Sequence, residues 1–153
     1  SARFRRGSKF IVANSILLGG QKAGLSVESD STASYYKAGS AGLFNSMLSS
    51  VASPFRVASQ TMVPAALDSL TLATITTTTN QTTYYPAAAD VKLIDPFNNA
   101  APNLKPAGDS PALTLGAKFD LAPLNVAFFE KVTYIGAFDA SNDWTAPWAV
   151  FNK

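Results

Sequence analysis

The sequence contains no cysteine and no histidine, and these two absences remove whole classes of chemistry. Without thiolate or imidazole there is no Cys nucleophile, no Ser-His-Asp triad and no zinc site built from N and S ligands. The lack of Cys leaves the redox compartment open, because disulfide staples matter chiefly in smaller secreted domains. Charge is scarce as well: Asp, Glu, Lys and Arg make up 14% of the chain, and 12 basic against 10 acidic side chains leave a formal net charge of +2. Such a surface lacks the clustered Lys/Arg that displaces phosphate counterions, so nucleic acid is not an expected partner. The only basic cluster, Arg3, Arg5, Arg6 and Lys9, reads as a solvated chain end rather than a phosphate or anionic-lipid patch. No run approaches the roughly 20 apolar residues of a membrane-spanning helix, and the opening residues lack the apolar core of a signal peptide. Because strand-like sequence starts almost at residue 1, the expectation is a mature or C-terminal portion of a longer polypeptide.

What is present is a repeated phrase. Val12-Ala13-Asn14-Ser15-Ile16-Leu17 returns as Leu43-Phe44-Asn45-Ser46-Met47-Leu48, and each copy is followed by a second apolar alternation, Leu25/Val27 and Phe55/Val57. The offset from the Asn to the second pair is nearly the same in both copies, as in successive turns of a β-solenoid. Gly19-Gly20 ends the first strand, and Ser29-Asp30-Ser31-Thr32 reads as a polar turn. Only Leu43–Ser49 and Ala65–Leu72 offer a short helical alternative.

An excursion from about Ser59 to Asp90 holds the run Thr76-Thr77-Thr78-Thr79, which suits an exposed edge strand or a low-complexity loop equally well. Within it Tyr84-Tyr85 echoes Tyr35-Tyr36. Val91-Lys92-Leu93-Ile94 resumes the strand pattern and stops at Asp95-Pro96, where Pro removes a ladder donor. The proline-rich stretch from Pro102 to Gly116 argues against helix. Val132–Phe138 reads as a last strand before Trp144, Trp148 and Phe151. At 153 residues the chain suits a single domain, 1–153, with a capping region over about 117–153.

Asp95-Pro96-Phe97, Ser110-Pro111-Ala112-Leu113-x-x-Gly116-Ala117, Tyr134-Ile135-Gly136-Ala137-Phe138 and Trp144-x-x-x-Trp148 resemble the C-terminal part of secreted right-handed parallel β-helix proteins, found especially in Bacteroidota and of unassigned function. Ala146-Pro147 stands before Trp148 where that family more often has Ala-Gly. The resemblance implies an all-β fold, a right-handed parallel β-helix end with a C-terminal aromatic cap; an antiparallel β-sandwich is the alternative. It also implies that the first coil needs a partner: missing N-terminal coils, identical subunits, or a surface or outer-membrane complex.

Asn14 and Asn45 are the first candidate site residues, expected to stack at a corner and bond through their amides as a structural pair. No catalytic residue, metal site or cofactor is expected. Glu28 and Asp30 have no acidic counterpart in the second copy, where Ala58-Ser59-Gln60-Thr61 stands, so the paired carboxylates of a glycoside hydrolase do not assemble. Asp90 with Asp95 could bind Ca²⁺, but reads better as turn-forming, as does the group Asp139, Asn142 and Asp143. Tyr134, Phe138, Trp144 and Trp148 read as a hydrophobic cap, with a glycan-stacking platform as the second reading. The expected function is a non-enzymatic structural or interaction protein, secreted or at the cell surface, within a larger assembly. A carbohydrate-binding or polysaccharide-degrading module is the alternative.

Overall fold

The computed structural model describes residues 2–58, 81–146 and 148–151. The chain divides into two compact units, Ser1–Ala88 and Ala89–Lys153.

The first unit is built from short strands in parallel register: β1 (Ala2–Phe4), β2 (Ile11–Ala13), β3 (Ile16–Gly20), β4 (Leu25–Glu28), β5 (Gly42–Phe44), β6 (Met47–Ser50), β7 (Phe55–Ala58) and β8 (Thr83–Tyr84). They form three small sheets ordered β1-β4-β7, β2-β5 and β3-β6-β8. Register places Val12 opposite Leu43, Ile16 opposite Met47, and Leu25 and Val27 opposite Phe55 and Val57. Strand alternation then decides burial: in β4 Leu25 and Val27 point inward while Ser26 and Glu28 face outward. Leu25, Val27, Leu43 and Leu48 join Phe4, Ala33 and Tyr36 in one core cluster, and Val12, Leu17, Phe55 and Val57 pack against it. Each such side chain contributes about 1.5–3 kcal/mol when fully buried. Gly24 is required by close approach, since a Cβ there would lie 2.5 Å from Leu48 Cδ1 and 3.0 Å from the Pro54 carbonyl oxygen.

Between β4 and β5 runs a helix, α1 (Asp30–Lys37), where the sequence reads as a polar turn. Asp30 in its first turn and Lys37 in its last complement the helix dipole. Thr32, Ala33 and Tyr36 supply its buried side, and that spacing was the available signal. The Tyr36 hydroxyl accepts a hydrogen bond from Leu43 N–H at 3.3 Å, and burial raises its pKa to about 12. Tyr84 lies in β8 rather than in a helix, so the two tyrosine doublets are not equivalent. Leu43–Ser49 runs from β5 through the corner at Asn45 and Ser46 into β6, and is not helix.

The second unit has little regular structure. A 3-10 turn, Ala88–Val91, leads into β9 (Leu93–Asp95), which pairs antiparallel with β10 (Asn103–Pro106). One helical turn follows, α2 (Pro111–Thr114), inside the stretch where prolines argued against helix. Its local chemistry is legible in retrospect. Ser110 is the N-cap and its oxygen accepts from Ala112 N–H at 3.2 Å, Pro111 takes the position where a missing N–H costs nothing, and Gly116 leaves with φ +73°. Ser110 Oγ also donates to the Val91 carbonyl at 2.6 Å, and Ile135 N–H donates to the Ala112 carbonyl at 2.9 Å. Val91, Pro106, Ser110, Ala112, Ile135 and Phe138 are this unit's buried residues among those described. Val132–Phe138 carries no strand.

The fold class is therefore corrected. The described residues form neither an all-β right-handed parallel β-helix end with an aromatic cap nor an antiparallel β-sandwich. They form four small sheets of two or three strands, parallel in the first unit and antiparallel in the second, without a solenoid or a barrel. The physical reason is that, among the described residues, the repeat is short. Two copies pair fully, a third is represented there by the two-residue β8, and a stacked-repeat architecture needs about three or more complete units. The second unit then offers no parallel strand to continue the ladder among its described residues. Most of the expected excursion, residues 59–80, including Ala65–Leu72 and the Thr run, lies outside the described residues.

Candidate functional site

The corner between β2 and β3 is made by Asn14, and the corner between β5 and β6 by Asn45. Both adopt left-handed backbone angles, φ +51° and +42°, a region in which Asn is tolerated better than branched residues. Asn45 Nδ2 donates to Asn14 Oδ1 at 2.7 Å. The following serines extend the contact: Ser46 Oγ donates to its own strand's Phe44 carbonyl at 2.7 Å and accepts from Ser15 N–H at 3.1 Å. These bonds satisfy polar groups where the chain leaves one sheet for the next.

A third residue belongs to this column and was missed in the sequence. Because Met47 pairs with Thr83, Gln81 takes the place of Asn45 and Thr82 that of Ser46. Gln81 has φ +51°, and buried Thr82 donates its hydroxyl to the Leu43 carbonyl at 2.9 Å. The available signal was an amide-hydroxyl pair, Gln-Thr for Asn-Ser, obscured by the surrounding threonines.

Coverage of the two copies differs sharply. Residues 41–50 are all buried, whereas residues 11–19, in register with them, are all half-buried. For β6 against β3 the cause is strand order: β6 lies between β3 and β8, while β3 has one strand neighbour among the described residues. The Phe10 carbonyl and Asn14 N–H are used on β5, so the alternation of a parallel ladder directs the backbone groups of Ile11 to the other edge.

The carboxylates sit in turns or ion pairs. Glu28 Oε2 accepts from Arg3 Nη2 at 2.6 Å, and that bond holds the Glu28 carboxyl below the usual carboxylate range. Asp95 accepts from Asn98 Nδ2 at 3.0 Å, while Asp90 lies in the exposed 3-10 turn. Asp139 accepts from the N–H groups of Asn142 and Ser141, which lower its pKa. Asp143 accepts from the Thr145 hydroxyl at 2.6 Å, again lowering its pKa. No group of three or more carboxylates that could hold a metal occurs among the described residues.

The aromatic candidates form a ladder in the second unit. Phe138 is buried and stacks on Trp144 with ring centroids 5.6 Å apart, and Trp144 lies 5.6 Å from Trp148. Both indole N–H groups are anchored, Trp144 on the Ala137 carbonyl at 2.8 Å and Trp148 on the Trp144 carbonyl at 3.1 Å. The two residues nonetheless remain 48% and 64% exposed. Tyr134 is half-buried.

On the outward face of β1-β4-β7, register aligns Arg3, Ser26 and Arg56. They line a groove of about 490 Å³ with Lys22, Gln21 and Glu28.

No described helix is long and apolar enough to cross a membrane. Compared with known proteins, the chain matches no family model, no curated protein and no solved structure.

Proposed function

We propose that this is a non-enzymatic structural or interaction protein of an extracellular or cell-surface assembly, and that β2 and β3 receive an extended strand from another chain, identical or different. The carrying observation is the contrast between the fully buried 41–50 and the half-buried 11–19. An edge strand with apolar side chains and backbone groups directed outward is a template for strand addition. Exposed apolar surface on the second unit supports the same reading. Of the thirteen exposed large hydrophobic residues, eleven fall in Ala89–Lys153 among the described residues, with Phe128 at 87%, and contiguous apolar patches mark interaction sites.

Solution mass combined with amide hydrogen exchange tests this. The expected result is self-association, or a monomer whose β2 and β3 amides exchange much faster than those of β5 and β6. A well-folded monomer with full protection across residues 9–18 sinks the proposal.

A second reading, glycan binding, draws on the exposed, anchored faces of Trp144 and Trp148, since indole faces stack on sugar rings. Trp144→Ala is expected to abolish retention on immobilised glycans with an unchanged melting temperature if the ladder binds sugar. A fall in melting temperature instead assigns the ladder to packing.

A further inference from the structure

The groove on the outward face of β1-β4-β7 takes one lining residue, Gly19, from β3, and all of its charged lining from residues outside β2 and β3. Its lining includes three cations, Arg3, Lys22 and Arg56, and one carboxylate, Glu28. Glu28 is already engaged by Arg3 at 2.6 Å and accepts from the Ser26 hydroxyl at 3.3 Å. Among the described residues, Lys22 and Arg56 have no ion-pair partner. Two cations thus face one groove with their charge uncompensated, beside a guanidinium held in place by its own carboxylate.

The rest of the lining narrows the ligand. Ala2, Gly19, Gln21, Ala23 and Ser26 are its other described lining residues, so among the described residues it offers no aromatic ring for stacking and no large aliphatic side chain for an apolar ligand. Recognition there rests on charge and hydrogen bonding. The volume, about 490 Å³, falls in the range of small-molecule sites. Arg3 and Arg56 stand on the two strands flanking β4, and strands about 4.8 Å apart place their backbones about 10 Å from each other. A ligand with two anionic groups spans that separation with one group at each guanidinium. Glu28 repels anions at the Arg3 end, so the stronger pole of the groove lies at Arg56 and Lys22. The planar guanidinium fork suits carboxylate and phosphate oxygens.

We propose that this groove binds a small soluble multivalent oxyanion, a molecule with two or more carboxylate or phosphate groups. Arg56 and Lys22 are its principal contacts, and Arg3 is a third, oriented by Glu28.

Calorimetric titration of the full chain with citrate and with inorganic tripolyphosphate tests the proposal, with glucose as the neutral control. The expected result is saturable binding of at least one of the two anions, weakened by added salt, and none of glucose. Arg56→Gln combined with Lys22→Gln is expected to weaken it at least about tenfold at an unchanged melting temperature. Lys22→Gln alone, in an exposed turn, gives a smaller loss. Lys37→Gln combined with Lys131→Gln removes the same charge elsewhere and leaves affinity unchanged. The proposal is overturned if neither anion saturates below about 10 mM. It is equally overturned if both charge-removing pairs weaken binding alike, or if only a long acidic polymer is retained.

Discussion

Asn45→Ala is expected to destabilise the first unit by about 2–4 kcal/mol, and Asn45→Gly by only about 1–2. Two separable costs produce the difference. At φ +42° an alanine Cβ crowds the following carbonyl, costing about 1–2 kcal/mol, while glycine accepts that angle without strain. Both variants lose the 2.7 Å bond to Asn14 Oδ1. That loss removes one donor from a partly buried acceptor, at about 1–2 kcal/mol. Hydrogen exchange of residues 42–50, read alongside denaturant unfolding, measures the effect locally. Equal and mild effects from both substitutions would show that neither backbone angle nor amide contact matters at this corner. Asn14→Ala carries the same conformational cost at φ +51°, but a smaller hydrogen-bonding one, since Asn14 is more exposed than Asn45.

Leu25→Ala is expected to cost about 2–5 kcal/mol. Leu25 is fully buried on the central strand of β1-β4-β7 and belongs to the main core cluster. Truncation removes transfer energy and leaves a cavity that Phe4, Val27 and Leu48 cannot close without shifting backbone held in two ladders. Phe128→Ala provides the contrast. At 87% exposure that ring contributes little to the isolated chain, and a change within about 0.5 kcal/mol is expected. If Phe128→Ala proves as damaging as Leu25→Ala, Phe128 is buried in solution by an associated chain. Measuring both at several protein concentrations distinguishes that outcome, because stability derived from association rises with concentration.

How much was legible depended on the range of the interaction that decides each feature. The corners at Asn14 and Asn45 could be read because an amide residue flanked by alternating apolar residues is a local pattern, and its recurrence marks equivalent positions. Gln81 escaped because β8 is only two residues long, too short for periodicity to register. Helix α1 escaped because its polar composition resembles a turn. Its formation rests on Ala33 and Tyr36 packing on the core, and on Gly7 N–H donating to Thr32 Oγ1 from across the unit. In α2 the prolines argued against helix, yet Ser110-Pro111 is a cap followed by the one helical position that suits Pro. Length misled the reading there, since a single helical turn can carry a proline-rich segment that a longer helix could not.

The groove was not legible at all. Arg3, Ser26 and Arg56 are scattered along the chain, and only parallel pairing across β4 puts them in one row. The aromatic ladder was half legible: its members stand close in sequence, but their exposure is set by what packs around them.

By itself the amino-acid sequence determined the chemistry that is excluded, through the missing His and Cys, and the scarcity of charge. It also determined the two copies of an amide-cornered strand phrase, because composition and local alternation are written residue by residue. Only the tertiary structure decided how far parallel stacking extends, which copy is covered and which is left at an edge, and where three distant cations meet. Those outcomes depend on pairing between residues some 30 positions apart. No local pattern encodes whether a further strand arrives to continue the ladder.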